Sequence, residues 1–354
     1  MDLGEATTRS FEADDVLVSN IIRTTSYHRR DFDLAVIRTN PEDHRLVRTS
    51  LTEDIHTTYS SLGKLEILPL ETIHQICLLL DIWSLFRFRQ VNRRARQAVS
   101  AIRFYKVIVN HALEALCITL RTNIATWFRL SDLFDVLCTM KCHFCGAFGG
   151  FIFLPSFRRC CFSCIRADGL PCVLVLSDVK HRIKQRLGGV CSLMPTVRTL
   201  PGTYSMDETV RKRRTEIVLS ESISAIYLND EVDETRVKRS KKTVLLPYMV
   251  TTSLPYFDYK SGVVQRGISC SGCQVALEKA LRSSRVESGA CAMRDKVYSH
   301  DEFLDHFKAC QEAQNIWKSR GRGSDNASFS EFVRRRGYFK RRDVIMSFNS
   351  KKYA

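Results

Sequence analysis

Four cysteines near the middle of the chain have the spacing of zinc ligands. They form two C-x-x-C pairs separated by fifteen residues: Cys142, Cys145, Cys161 and Cys164. Each pair in a tight turn would direct two thiolate sulfurs at one ion about 2.3 Å away, and two such turns complete a tetrahedron. Because four thiolates leave no open coordination position, the pattern predicts a structural site rather than a catalytic one. His143 and Cys160 are the alternative ligands.

A second set of potential ligands lies towards the end of the chain. It consists of a C-x-x-C pair and, further on, a histidine four residues before a cysteine: Cys270, Cys273, His306 and Cys310. The segment EFLDHFKACQEAQ has a helical pattern, in which residues four apart project from one face. The set resembles a Cys–Cys–His–Cys zinc site, although its insertion, 274–305, exceeds the ~12–15 residues of a compact finger. Cys291 and His300 are competing ligands. Together the two sets predict two structural zinc ions per chain.

The number of cysteines agrees with metal binding in a reducing compartment. The chain has 14 cysteines, and its first residues, MDLGEATTRSFEADD, have neither the basic nor the apolar region of a secretory signal. No apolar run reaches the ~18 residues of a membrane span. We therefore expect a cytoplasmic and/or nuclear protein without membrane contact, in which cysteines bind metal more often than they form disulfides.

The charge of the chain permits an acidic partner. The net charge is +16, which would suit a nucleic acid or an acidic protein. Basic residues cluster in four short segments: 210–214, 236–242, 334–336 and 340–342. Such clusters can be nuclear-import or nucleic-acid patches, but most are typical of solvated loops. Because no recognition helix with side chains for base edges is evident, nucleic-acid binding is the alternative interpretation and is not favoured.

The motifs of common catalytic sites are missing from the sequence. It contains no G-x-x-x-x-G-K-[ST], no G-x-S-x-G and no H-E-x-x-H, and no G-x-G-x-x-G follows a predicted strand. The C-x-x-C pairs could be redox motifs, yet neither follows a βαβ pattern. We therefore predict that the protein is not an enzyme.

The hydrophobic pattern predicts an α+β fold, with a small three-helix unit plus further helices, followed by zinc-stabilised modules with short antiparallel strands. Glu216–Leu219 and Ser224–Leu228 have the composition of strands. We divide the chain into seven segments: a largely disordered N-terminal segment (1–61), the three-helix unit (62–108), a helical linker (109–141), a four-cysteine zinc module (142–176), a helix and an extended, strand-containing region (177–267) with a charged loop (229–242), a Cys–Cys–His–Cys zinc module (268–317) and a basic tail (318–354).

The hydrophobic pattern of the three-helix unit indicates that it binds a protein partner. It reads LPLETIHQICLLLDIWSLFRFRQVNRRAR from Leu68. Apolar residues recur at Ile73, Ile76 and Leu80 with the three-and-four spacing of a helix face, and Pro69 suits the first turn of a helix, where a missing N–H has no intrahelical role. The segment is too short and too apolar to be stable alone.

These residues resemble the F-box motif, a three-helix unit that docks onto the Skp adaptor of a cullin ubiquitin ligase. The resemblance implies that six residues contact the adaptor: Leu68, Pro69, Ile76, Leu80, Leu85 and Val91. Ala95 is a departure, because many members of the family carry Trp at this position. The missing indole would weaken the local core.

A wider resemblance runs from about residue 62 to residue 317. The order of F-box, helical segment and two cysteine modules is similar to that of a large group of F-box proteins abundant in fungi. It implies a substrate-receptor (adaptor) subunit of a Skp–cullin–F-box ubiquitin ligase, which recruits an unknown protein substrate for ubiquitination. The alternative is a nuclear nucleic-acid-binding zinc protein that uses its basic clusters.

Overall fold

A computed structural model describes residues 16–42, 45–53, 60–182, 194–226, 243–283, 289–321 and 329–337. The chain divides into two compact units. The central unit comprises Asp33–Val264, and the terminal unit comprises Met1–Phe32 together with Gln265–Ala354. The terminal unit is thus built from both ends of the chain.

Helices make up most of the described secondary structure. In chain order they are α1 over residues 16–25, α2 Arg30–Ala35, α3 Arg45–Thr52, α4 Leu70–Leu79, α5 Ile82–Arg89, α6 Arg93–Ala101, α7 Arg103–His111, α8 Leu113–Arg121, α9 Leu130–Leu137, α10 Phe162–Arg166, α11 Leu176–Arg182, α12 Ser220–Ile226, α13 Leu246–Met249, α14 Ser271–Arg282, α15 Ala290–Asp295, α16 His300–Ala309, α17 Gln311–Gly321 and α18 Glu331–Arg335. Within the described ranges, no helix is long and apolar enough to cross a membrane.

The strands are short and antiparallel. They are β1 Ser26–Tyr27, β2 Phe151–Phe153, β3 Arg158–Cys160, β4 Val173–Val175, β5 Thr196–Arg198, β6 Gly202–Tyr204, β7 Thr209–Arg211, β8 Glu216–Leu219, β9 Thr251–Ser253, β10 Tyr256–Phe257, β11 Val264–Gln265 and β12 Ser269–Cys270. Two sheets have three strands, in the orders β3-β2-β9 and β4-β8-β5, and three pairs stand alone: β1-β12, β6-β7 and β10-β11. The predicted α+β class is therefore confirmed.

The predicted three-helix unit corresponds to α4, α5 and α6. Helix α4 starts directly after Pro69, and the next two helices begin at side-chain caps. Asp81 accepts a hydrogen bond from the Ser84 N–H at 2.9 Å, and Asn92 accepts one from the Ala95 N–H at 2.8 Å. Such caps satisfy amide groups that the first turn of a helix leaves unpaired. Ala95 is fully buried, so a small residue fits this core.

A buried arginine joins helix α3 to these helices. Arg89 is 1 % exposed and donates to the main-chain oxygens of Ser50, Leu51 and Glu53 at the end of α3. The hydroxyl of Tyr105 also donates to the Leu51 oxygen, at 2.9 Å. A guanidinium at this place satisfies carbonyls that the last turn of a helix leaves unpaired.

The N-terminal segment is largely folded where the structure describes it, so the prediction of disorder over 1–61 is wrong there. Ala35, Val36 and Ile37 are buried in the central unit. The Ile37 N–H donates to the Thr251 oxygen at 2.9 Å, and the Thr252 hydroxyl donates to the Ile37 oxygen at 3.1 Å. The sequence did not show that these residues are ordered, because their helical periodicity is weak. The contacts that order them come from distant parts of the chain.

The extended region agrees with the prediction in part. Glu216–Leu219 forms β8 in the middle of its sheet. Residues 224–226 belong to helix α12, so the prediction of a strand at Ser224–Leu228 is wrong for these residues. The charged loop, 229–242, and the basic residues from 338 onwards lie outside the described residues. Short apolar runs do not distinguish a strand from a buried helix.

In the terminal unit, residues near the start of the chain contact residues from its C-terminal part. Arg29 is buried and donates two hydrogen bonds to the carboxylate of Asp31, at 2.8 and 2.6 Å. It also donates to Asp295 at 2.7 Å, and its guanidinium lies 3.8 Å from the centre of the Phe32 ring. The Arg30 N–H donates to the Arg336 oxygen, just after α18. Part of the predicted basic tail, 318–354, is therefore a packed element of this unit.

Candidate functional site

The four central cysteines converge on one point. The sulfurs of Cys142 and Cys164 are 3.8 Å apart, and those of Cys145 and Cys161 are 3.4 Å apart. All four sulfurs lie within 4.8 Å of one another. An ideal tetrahedral site with metal–sulfur bonds of about 2.3 Å separates its sulfurs by about 3.8 Å. The cluster therefore has the size of a four-thiolate metal site and could hold a metal ion.

Two different local structures present these sulfurs. The first pair lies in a turn, in which the Gly146 N–H donates to the Cys142 oxygen at 2.9 Å. The second pair lies at the start of α10, where the Cys161 sulfur caps the helix and accepts from the Cys164 N–H at 3.4 Å. Between the pairs, β2 and β3 form an antiparallel hairpin, with Phe151 opposite Cys160. The hairpin brings the two pairs together.

The alternative ligands lie outside this cluster. Cys160 is fully buried, and burial raises the pKa of its thiol well above the ordinary value. His143 is exposed, and its main-chain N–H donates to the Arg159 oxygen at 2.9 Å. Neither residue belongs to the group of ligand atoms that converge. Cys160 is thus a core thiol beside the site.

Arg159, next to Cys160, holds together the segments around the first cluster. No motif in the sequence pointed to it. Its side chain is buried and donates five hydrogen bonds, all to main-chain oxygens. The acceptors are Val136 at 2.9 Å, Leu137 at 3.2 Å, Gly149 at 2.5 Å, Leu254 at 3.1 Å and Pro255 at 2.7 Å. All five N–H donors of the guanidinium are therefore satisfied. They connect the end of α9, the hairpin and the segment after β9.

The second predicted set also converges. The sulfurs of Cys270 and Cys310 are 3.7 Å apart, and the Cys273 sulfur lies 3.3 Å from His306 Nε2. For a tetrahedral ion with bonds of about 2.3 Å to sulfur and about 2.0 Å to nitrogen, the sulfur–nitrogen separation would be about 3.5 Å. All four ligand atoms lie within 4.8 Å of one another. This group could hold a second metal ion.

The long insertion in this set is accounted for by two helices. Cys270 precedes α14, Cys273 lies in its first turn, and the chain returns through α15. A bridge between Ile268 and Tyr298 then places the start of α16 beside β12. His306 lies on α16 and Cys310 ends it. The pair is therefore four residues apart, as predicted, although Cys310 has an extended main chain.

Two close contacts shape this second cluster. The ring of Tyr298 stacks on that of His306, with centroids 4.8 Å apart and planes 20° apart. A Cβ on Gly272 would lie 2.3 Å from the Ala313 nitrogen, a main-chain atom of α17. Only glycine therefore permits this approach of α14 to α17. The competing ligands lie elsewhere: Cys291 is exposed, His300 begins α16, and neither belongs to the converging group.

The electrostatics of both clusters favour a bound cation. A hydrogen bond with Cys161 lowers the pKa of Cys142 to about 4, while the same contact and then burial raise the pKa of Cys161 far above its ordinary value. In the second cluster, a hydrogen bond with Cys270 lowers the pKa of Cys310, and hydrogen bonds with Cys273 and Cys310 raise that of Cys270. Neighbouring thiolates repel one another. A divalent cation would balance their charge and release the remaining protons.

The helices α4 to α6 present apolar side chains to solvent. Ile73 and Cys77 face inwards from α4, whereas Ile76 and Leu79 are 42 % and 65 % exposed. Val91, after α5, is 70 % exposed. Helix α4 therefore has two apolar faces, and only one of them packs within the protein.

The structure divides the six predicted contact residues. Ile76, Val91 and Pro69 are exposed, and Leu68 and Leu80 are half-buried. Leu85 is 2 % exposed and belongs to the core of the central unit, so its prediction as a surface contact is wrong for this structure. The exposed Leu79 was missed, because periodicity alone does not show which of two apolar faces is covered.

Comparison with known proteins identifies one part of the chain. Residues 65–107 match the family model of the F-box domain. The match covers α4, α5 and α6 and the first residues of α7. No curated protein and no solved structure matches the chain.

Proposed function

We propose that this chain, an F-box protein with two cysteine-rich clusters, is a substrate-receptor subunit of a Skp–cullin–F-box ubiquitin ligase. The observation that carries the proposal is the F-box domain over residues 65–107. Such a subunit binds the Skp adaptor through its F-box and a protein substrate through the rest of its chain. This role would place it in the cytoplasm and/or the nucleus.

The exposed face of α4 supports adaptor binding. Burial of a large aliphatic side chain stabilises a complex by roughly 1.5–3 kcal/mol. Ile76 and Leu79 are three residues apart, so they lie on one helix face. Apolar side chains at this spacing are typical of a helix that docks into a partner's groove. Leu70, at the start of the same helix, is 38 % exposed.

The proposed mechanism needs no catalytic residue in this chain. The F-box would attach the chain to the adaptor, and the remaining domains would hold a substrate near the ubiquitin-conjugating enzyme. Holding two reactants together raises their effective concentration, which accelerates transfer without new chemistry. The receptor would therefore promote ubiquitination by placing the substrate close to the ubiquitin-conjugating enzyme.

We propose further that both clusters bind zinc. Cysteine and histidine are the ligands that zinc prefers in tetrahedral structural sites, and a closed set of four leaves no position for a reacting water. Cys142, Cys145, Cys161 and Cys164 would hold one ion, and the second set would hold the other. These ions would stabilise the fold, because metal binding to such sites is coupled to folding.

The adaptor contact can be tested with surface variants. Ile76→Asp and Leu79→Asp should each abolish co-purification with the Skp adaptor, because a carboxylate would be buried without a partner. Leu281→Asp is the matched control: Leu281 is 41 % exposed, close to the value for Ile76, but lies on α14. Circular dichroism checks that the variants fold. Retention of the adaptor by both F-box variants at the wild-type level would refute the proposal.

Nucleic-acid binding is the alternative function. Of its basic clusters, the structure describes 210–214, in which residues 212–214 after β7 are exposed, and 334–336 at the end of α18. Binding to phosphates would fall steeply with salt concentration. Absence of binding to DNA and RNA at low salt would remove this alternative, whereas salt-sensitive binding that is lost on substitution of 212–214 would favour it.

A further inference from the structure

One cysteine of the first metal cluster is open to solvent. Cys145 is exposed, whereas Cys142, Cys161 and Cys164 are 3 %, 6 % and 7 % exposed. The turn around Cys145 borders open space: beyond its chain neighbours, a Cβ on Gly146 would meet no described atom within 4 Å. A small molecule in solution can therefore reach Cys145, while the other three cysteines are covered by the protein.

Metal binding would keep this exposed sulfur in its nucleophilic form. Zinc binds cysteine as the thiolate, not as the thiol. The oxidation of cysteine follows thiolate character and accessibility, and Cys145 would combine both. Cys172 and Cys291 are exposed as well, but they belong to neither converging group and would lack this activation. Cys145 is therefore the cysteine at which an oxidant in solution would react first.

Cys161 is placed to react with an oxidised Cys145. Their sulfurs are 3.4 Å apart, closer than the 3.8 Å between the sulfurs of Cys142 and Cys164. A disulfide bond is about 2.0 Å long, so the two sulfurs would have to approach by roughly 1.4 Å. The exposed turn of Cys145 has room for this movement, whereas Cys161 is fixed as the N-cap of α10.

We infer that Cys145 is the site at which hydrogen peroxide oxidises the first cluster. The Cys145 thiolate attacks one peroxide oxygen, the O–O bond breaks, and the sulfur becomes a sulfenic acid, while the leaving hydroxide takes up a proton. The Cys161 thiolate then attacks this sulfur, so that an S–S bond forms, the S–O bond breaks, and the second hydroxide is protonated. Two thiolates, one peroxide and two protons thus give one disulfide and two waters.

This oxidation would release the metal ion of the first cluster. Two of the four converging sulfurs would be joined to each other, and the two that remain are too few for a closed tetrahedral site. The release presupposes the proposed zinc binding, on which this inference rests. The disulfide would link the same two segments as the ion, namely the turn of the first pair and the start of α10. Reduction would therefore return four thiolates that are still close together, and the site would bind zinc again.

The second cluster does not offer an exposed thiolate. Cys270 and Cys273 are buried, and Cys310 is only half-buried. The fourth ligand is the imidazole of His306, which has no sulfur to oxidise and cannot form a disulfide. Because peroxide sensitivity follows the accessibility of the thiolate, the first cluster should lose its ion while the second keeps its own.

The test uses the full chain loaded with zinc and treated with increasing amounts of hydrogen peroxide. The absorbance of a chelating dye reports zinc release, and mass spectrometry after alkylation of the free thiols locates the disulfides. The wild type should release one of its two ions as a disulfide forms between Cys145 and Cys161. A thiol reductant with added zinc should return the content to two ions.

Two variants test the role of Cys145. Cys145→His keeps a metal ligand but removes the sulfur, so this variant should hold both ions under the same treatment. Cys291→Ala, at an exposed cysteine outside both clusters, is the matched control and should release one ion as the wild type does. If Cys145→His does not hold zinc, the disulfides of the oxidised wild type decide the result.

Several outcomes would overturn the inference. These are retention of both ions after the exposed cysteines are oxidised, loss of both ions together, a first disulfide other than that between Cys145 and Cys161, or zinc release from Cys145→His as in the wild type. The zinc content before treatment separates this inference from the proposed function. An untreated chain without zinc would refute the proposed sites, whereas two ions that peroxide does not release would refute only the role of Cys145.

Discussion

The hydrogen bonds of the buried Arg159, beside the first cluster, allow a quantitative prediction about the stability of the central unit. Burial lowers the pKa of Arg159 to about 9, and a lysine at this place would offer at most three N–H donors in place of five. At least two of the five main-chain oxygens that Arg159 binds would then lose their partner. A hydrogen bond from a charged donor contributes roughly 1.5–3 kcal/mol. Arg159→Lys should therefore reduce the free energy of unfolding of the central unit by about 3–6 kcal/mol.

Urea unfolding of the zinc-loaded protein measures this loss. A Trp317→Phe background removes the tryptophan of the terminal unit, so the fluorescence reports Trp83 and Trp127 in the central unit. Arg158→Lys is the matched control, because Arg158 is the exposed neighbour on the same strand. A loss of less than about 0.5 kcal/mol in Arg159→Lys, the range of ordinary surface substitutions, would refute the role of this hydrogen-bond network.

Three further predictions concern the metal clusters and the terminal unit. Metal analysis should find two zinc ions per chain and one in Cys161→Ala, whereas Cys160→Ala, at the adjacent core thiol, should keep both; no zinc in the wild type would refute the sites. Burial raises the pKa of Asp295, but Arg29 and Arg294 outweigh this effect and lower the pKa from 3.8 to about 2. The ionised carboxylate therefore stabilises the fold at pH 7. This stabilisation is lost as the pH falls from 3.8 through about 2. Asp295→Asn should cost about 3–5 kcal/mol at pH 7 by urea unfolding, and an unchanged midpoint would contradict this. Gly272→Ala should separate α14 from α17 and release one zinc ion, and full zinc content would show that the helices adapt.

The sequence predicted the parts of the protein that depend on local spacing. Both ligand sets could be recognised because C-x-x-C pairs bring two sulfurs together within one turn, whatever the rest of the chain does. The F-box helices could be recognised because their apolar periodicity and Pro69 act within a few residues.

Predictions failed where contacts between distant residues decide the outcome. The folded part of the N-terminal segment is held by the strand at Thr251–Ser253 and, in the other unit, by Asp295. Leu85 is apolar whether it faces a partner or the core, so only packing shows that it is buried. Residues 224–226 lie in a helix although their composition suits a strand.

The sequence by itself thus determined which residues could bind metal and which segment forms the F-box. Only the tertiary structure decided that the two ends of the chain form one unit and that Arg159 joins residues up to 96 positions away. It also left Cys145 exposed in a cluster whose other three cysteines are buried. Ligand spacing and helix periodicity act over a few residues, whereas burial, ion pairing and exposure depend on which distant segments pack together.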